Sequence, residues 1–224
     1  MDVLVEKLDK RKLKETIASN LRIKAYCGII LVCSCISLSE DYKIDKRNPL
    51  NQWFVKLGWF WTTALTLPFL FIGLRNNDRD GVAKALLRTT LSTFIWFFSV
   101  NVFQFFDTNT GFDISGHTFL LIFSNLMISS EIRLSDESMS EESKENRDSD
   151  TLDSSHRSTM KLSLQILSVL WDFMLLQTAL YYHTILQKLI AVIWAIGSWY
   201  ILHILFYDKS LEARSSAKMS GSRQ

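Results

Sequence analysis

The chain has 224 residues, 48% of them hydrophobic and 21% charged, with a formal net charge of +2. So small a charge, with no basic stripe interleaved with aromatics, excludes a nucleic-acid surface. The apolar residues fall into blocks divided by charged stretches, a pattern of polytopic membrane proteins and not of a soluble domain.

In chain order, residues 1–24 come first as a cytosolic segment. Within 3–24, Leu4, Leu8, Leu13, Ile17 and Leu21 recur among lysines. That spacing suits a helix lying on the membrane surface, or an ordinary solvated helix. The charged stretch ahead of the first apolar block leaves no cleavable signal peptide, so that block is expected to act as an uncleaved anchor. Six apolar blocks follow, at 25–39, 53–74, 87–106, 115–130, 160–182 and 185–207. The second, third, fifth and sixth are long enough to cross about 30 Å of hydrocarbon at roughly 1.5 Å per residue. The first and fourth are near the lower limit and read as short spans, tilted spans or buried re-entrant pieces. Cys27, Cys33 and Cys35 all fall in the first block without metal-finger spacing, so they read as small apolar residues of a helix. Residues 134–158 are acidic, Ser-rich and nearly free of aromatics, which predicts a disordered cytosolic loop open to phosphorylation. Residues 208–224 form a cytosolic tail. The expected fold is an all-α membrane protein, a bundle of six transmembrane helices with both termini cytosolic and residues 25–207 as the catalytic unit.

The orientation follows from Lys and Arg. With six spans and a cytosolic start, the cytosolic segments hold seven before the first span, four in 75–88, five in 131–161 and four after 207. The opposite side holds only Lys43, Lys46, Arg47 and Lys188, and Lys56 lies within a span. This is a strong positive-inside bias. Parity then decides the chemistry. Six spans put the 107–116 and 181–185 turns on one face, together with His117 and His183. Omitting the fourth span would separate them.

An imidazole at the edge of a span is rare unless it has a task, so these two histidines are candidates for acid/base or nucleophilic chemistry. Ser115-Gly116-His117 opens the fourth span. Ser115 suits an N-cap and Gly116 lets a ligand approach the backbone closely. The amides and positive dipole end of that helix suit a phosphate. His117 could donate a proton to a leaving oxygen, or could be a plain hydrogen-bonded residue beside a cap. His183 follows Tyr181 and Tyr182, where the bland reading is an interfacial aromatic belt. Lys56, within the first turns of the second span, could snorkel to headgroups or hold a phosphate. Lys188 supplies a further cation on that face. Asp172, deep in the fifth span, needs a partner, for which Asn101 and Gln177 are candidates. His203 and His156 lie elsewhere. No carboxylate–histidine cluster marks that face, so neither a metal nor another cofactor is expected.

Three stretches carry a family likeness. Asn48-Pro49-Leu50-Asn51 runs into Phe54-Val55-Lys56-Leu57-Gly58-Trp59-Phe60-Trp61-Thr62. Gly111 to Leu121 contains Phe112-Asp113-Ile114-Ser115-Gly116-His117. Tyr182-His183 is followed by Gln187-Lys188 and Trp199-Tyr200. In this order, over about residues 25–207, the chain resembles the fat-storage-inducing transmembrane (FIT) family. The resemblance implies a six-span endoplasmic reticulum protein with its active site facing the lumen. It also implies kinship with lipid phosphate phosphatases, whose Ser-Gly-His motif matches residues 115–117 and whose second histidine would be His183. It implies an acyl-CoA diphosphatase that cuts fatty acyl-CoA into acyl 4′-phosphopantetheine and adenosine 3′,5′-bisphosphate, supporting lipid droplet formation. On this reading His117 and His183 are catalytic, while Lys56, Asp113, Ser115, Gly116 and Lys188 contact the substrate.

The chain departs from the wider superfamily in three ways. No Lys…Arg-Pro motif is present, with Lys56 as its possible remnant. Leu-Tyr-Tyr stands where an arginine precedes the second histidine. Gln187 stands where an aspartate follows it, able to orient an imidazole by hydrogen bond but not by charge. A contrasting reading is a non-catalytic membrane protein that binds diacylglycerol or triacylglycerol and partitions it into droplets. A small transporter is the third, without the duplicated halves that fold implies.

Overall fold

The computed structural model describes residues 21–36, 55–73, 79–145 and 151–208. The expected surface helix (up to residue 20), the basic residues at 43–47 and the tail after 208 lie outside these. The described residues form helices without a strand: α1 at 21–36, α2 at Gly58–Gly73, α3 at Arg79–Thr110, α4 at Gly116–Glu145, α5 at Thr151–Tyr181 and α6 at Ile185–Leu202. A π-helical segment, His203–Asp208, continues α6.

Three helices are long and apolar enough to cross a bilayer, over Gly81–Thr110, Ser155–Tyr181 and Ile185–Phe206, and Gly58–Ile72 is a shorter apolar helix. The chain is therefore a membrane protein. Its polarity is inverted accordingly. Phe94, Phe97 and Phe105 of α3, Ile166, Val169 and Phe173 of α5, and Ile193 and Ile201 of α6 all point outward, where lipid tails replace water as their solvent.

The fourth apolar block is short for a reason visible in the packing. Residues 118–128 of α4 are buried without interruption, and α4 packs against α2, α5 and α6. A helix wrapped by its neighbours need not match the hydrocarbon thickness alone. Phe119, Leu121, Ile122 and Phe123 are wholly enclosed, with Phe119 and Phe123 stacked and Trp59 stacked on Phe123. Gly58 permits the closest approach of α2 to α4: an added Cβ would stand 2.9 Å from Leu120 Cδ2.

Lipid tails offer helices no hydrophobic reason to associate, so polar bonds and close packing hold such bundles together. Among the described residues, four tryptophans each donate an indole N–H to a hydroxyl on another helix. Trp171 reaches Thr62 (3.2 Å), Trp59 reaches Thr93 (3.2 Å), Trp194 reaches Ser99 (2.9 Å) and Trp199 reaches Ser130 (3.0 Å). Each hydroxyl passes its own proton back to the carbonyl four residues earlier, at Gly58, Thr89, Ile95 and Leu126 respectively. The donor and acceptor are thus satisfied without water, tying α2 to α5 and α3, and α6 to α3 and α4.

The stretch read as a disordered loop, 134–158, is instead helical at 134–145 and 151–158, extending α4 and α5. Polar contacts join the two helices there. Arg157 Nε donates to Ser135 Oγ at 3.1 Å, and Lys161 Nζ pairs with Asp136 at 2.6 Å. Asp172 also finds a partner other than those expected: Asn125 Nδ2 of α4 donates to its Oδ1 at 2.6 Å, with the Tyr26 hydroxyl bonded and Arg22 near. Asn101 turns back onto its own helix, donating to the Phe97 carbonyl.

Candidate active site

Two turns meet at one end of the bundle. The first joins α3 to α4. Gly111 closes α3 with φ +68°, its N–H on the Asp107 carbonyl, a left-handed C-terminal residue of the kind glycine supplies. Three residues outside regular structure, Phe112, Asp113 and Ile114, then lead to Ser115. Its Oγ accepts from the Thr118 amide (3.4 Å) and shares a 2.8 Å bond with the Thr118 hydroxyl, so Ser115 is the expected N-cap of α4.

The second turn joins α5 to α6. Thr184 caps α6 through a reciprocal capping box, in which Gln187 Oε1 accepts the Thr184 amide at 2.9 Å. Gln187 is thereby engaged with backbone and not with an imidazole. His183 adopts φ +61°. This is the position just past a helix where glycine is the usual occupant. A β-carbon there costs of the order of 1–2 kcal/mol, an expense the fold carries at His183.

The turns touch at two points. The Ser115 amide faces the Gln187 carbonyl at 3.5 Å, and Asp113 Oδ2 lies 3.5 Å from His183 Nδ1. His183 and Lys56 lie near enough to the His117 ring for their charges to act on it. The structure thus brings together His117 from the first turn of α4, His183 from the α5–α6 turn and Lys56. Lys56 is exposed in the 55–57 turn, just ahead of α2 and not within its first turns. Both rings are partly exposed, so a ligand can reach them.

The remaining candidates divide. With the Ser115 amide directed at Gln187, the amides of Gly116 and His117 are the first-turn donors that helix geometry leaves without an intrahelical acceptor. Gly116 is exposed, and a Cβ built there meets nothing within 4 Å. Lys188 is not a surface cation for the substrate. It is 1% exposed, and its ammonium donates to the Ala179 carbonyl (2.5 Å) and Ser34 Oγ (3.2 Å). Ala179 belongs to the last turn of α5, whose carbonyls carry the negative end of the helix dipole. Lys188 therefore ties α6 to the end of α5 and braces the turn that carries His183. Asp113, expected to touch substrate, lies beside His183. Among the described residues no three His, Cys, Asp or Glu side chains cluster as a metal site would require.

A profile of the fat storage-inducing transmembrane proteins matches residues 39–110 and 107–203. The acyl-coenzyme A diphosphatase FITM2 of Homo sapiens is 33% identical over 207 residues, 77% of this chain and 76% of that protein. The Xenopus tropicalis protein of that name is 29% identical over 84% of this chain and 85% of its own length. The Drosophila melanogaster one is 28% identical, over 87% of this chain and 60% of its own length. No solved structure matches the chain.

Proposed function

Because this chain belongs to the fat storage-inducing transmembrane family, we propose that it is an acyl-coenzyme A diphosphatase, the activity its relatives' names state for them. Water adds across the phosphoanhydride of a fatty acyl-CoA, giving acyl 4′-phosphopantetheine and adenosine 3′,5′-bisphosphate. The observation that carries the residue assignment is the meeting of the α3–α4 and α5–α6 turns, Asp113 against His183 and Ser115 against Gln187, which sets His117 and His183 at one end of the bundle.

Cleaving a phosphoanhydride calls for neutralised oxygens, an in-line nucleophile and a proton for the departing oxygen. Lys56 and the amides of Gly116 and His117 face the diphosphate. His183 attacks one phosphorus, water afterwards cleaving the nitrogen–phosphorus bond, or it takes the proton of a directly attacking water. His117 protonates the leaving phosphate oxygen, so the bond between phosphorus and the bridging oxygen breaks without expelling a fully charged group. The acyl chain lies along the lipid-facing helices and the nucleotide head stays in water. In a six-span topology the basic-residue bias keeps both termini cytosolic, which puts this end of the bundle in the lumen of the endoplasmic reticulum. The activity supports lipid droplet formation.

The test is purified protein with oleoyl-CoA, following adenosine bisphosphate. Wild type releases it, and His117→Ala slows release by about 10²-fold or more, the scale of a lost general acid, at equal expression. No release by wild type, with droplet induction intact in both His117→Ala and His183→Ala, would establish the non-catalytic lipid-partitioning reading instead.

A further inference from the structure

A nucleophilic or basic histidine works only if its ring is held in one tautomer and one orientation, with the free nitrogen toward the reacting atom. The side chain best placed in sequence to hold His183 is Gln187, four residues on. Its Oε1 accepts the Thr184 amide, so it serves the start of α6. The carboxylate beside the ring comes from the other turn, where Asp113 Oδ2 lies 3.5 Å from Nδ1.

The backbone on both sides fixes this encounter. His183 is held at φ +61°. It lies between the last turn of α5, where the Tyr182 amide bonds Thr178 (3.1 Å), and the capping box of α6. The Lys188 ammonium on the Ala179 carbonyl braces the same turn from within the bundle. On the other turn, Asp113 sits between Gly111, which turns the chain out of α3, and Ser115, whose amide faces the Gln187 carbonyl. Both partners ride on segments with little freedom, as an orienting pair requires.

We propose that Asp113 is the positioning residue for His183, its carboxylate accepting from Nδ1–H so that Nε2 faces the substrate phosphorus. This rests on the hydrolase reading of the site. Within it, the orienting carboxylate is supplied from the loop that carries Ser-Gly-His and not from the segment after the second histidine. A carboxylate turned toward the diphosphate would repel it. Turned to the imidazole, the same charge stabilises the cation that forms as the histidine takes up a proton or bonds to phosphorus.

The pair is a poor candidate for a structural strut. The Asp113 side chain is 59% exposed and that of His183 17%, and ion pairs open to solvent add little to stability. Asp113→Asn is therefore expected to fold with an unchanged unfolding midpoint, isolating the orienting role.

Two measurements decide the matter in full-length protein. With ¹⁵N-labelled histidine, assigned by single His→Gln variants, wild type shows His183 protonated at Nδ1. Asp113→Asn shifts the His183 ring signals toward a tautomer mixture and leaves those of His203 in place. Unchanged His183 signals overturn the proposal, and this readout needs no turnover. With oleoyl-CoA, Asp113→Asn lowers kcat by about 10²-fold with KM within a few-fold, and Asp113→Glu recovers part of the loss. A raised KM with kcat preserved overturns the proposal, because Asp113 would then be touching substrate. Should wild type cleave no acyl-CoA, the hydrolase reading fails while the ring signals still decide whether Asp113 holds His183.

Discussion

His183 shows how a single residue can be costly to the fold and still be kept. At φ +61°, glycine would do the conformational work with no β-carbon to accommodate, and histidine is disfavoured by of the order of 1–2 kcal/mol. Against this, glycine loses more backbone freedom on folding, by roughly 0.5–1 kcal/mol. The two nearly cancel, so His183→Gly is expected to unfold at the same temperature as wild type or slightly above it. Its diphosphatase activity should fall below detection. A stable variant that still cleaves oleoyl-CoA would remove His183 from the chemistry. Stability kept while activity goes is the signature of strain held at a functional position. The sequence made His117, His183 and Ser115 legible because each is a polar residue where a turn meets an apolar run. It could not show which way a side chain points. Sequence alone points Lys188 at the ligand and Gln187 at an imidazole, and each bonds backbone. Asn125, next to Ser124 in an otherwise apolar run, carries no local mark of its partnership with Asp172 across to α5.

Elements are joined here by two kinds of charged contact, and magnitudes separate them. Arg88 of α3 and Glu131 of α4 form a two-pronged pair, at 2.8 and 2.6 Å, with side chains only 9% and 2% exposed. Removing one member leaves the other buried, at a cost of about 3–5 kcal/mol, whereas replacing both by apolar residues of similar volume is often neutral. Glu131→Ala should therefore lower the detergent-solubilised unfolding midpoint sharply, and Arg88→Met with Glu131→Met together should recover most of the loss. If the double substitution unfolds as early as the single one, the pair is worth more than its burial cost and this account is wrong. Lys161 with Asp136, 33% and 49% exposed, belongs to the other regime, where the same measurement should move by at most about 1 kcal/mol. Periodicity exposes the long lipid-facing helices because their apolar runs are continuous. It hides the extensions of α4 and α5 past the apolar blocks, since contacts between two charged helices leave no trace in either sequence alone. It also makes the apolar block of α4 look marginal as a span, and the structure gives that block a central place in the bundle.

At the scale of the molecule the site exists only because two turns, far apart along the chain, share an end of the bundle. The Asp113–His183 and Ser115–Gln187 contacts bring those turns together. The contacts of Arg157 and Lys161 with residues 135–136 lie near the opposite ends of α4 and α5. Among the described residues Arg133, Arg157 and Lys161 lie toward that second end, so the charge bias and the packing agree on which residues travel together, and the bias supplies the side. The proposed topology follows: the histidine end lumenal, the Arg157 end cytosolic. Single cysteines at Thr110, Thr184 and Ser158, all exposed, report on it once Cys27, Cys33 and Cys35 are changed to serine. In sealed microsomes a membrane-impermeant maleimide should label Ser158→Cys at once. It should reach Thr110→Cys and Thr184→Cys only after the membrane is opened. Labelling of 110 and 184 together in sealed microsomes would invert the protein and return its site to the cytosol. Labelling of one without the other would separate the two turns, and no diphosphate could then meet both imidazoles.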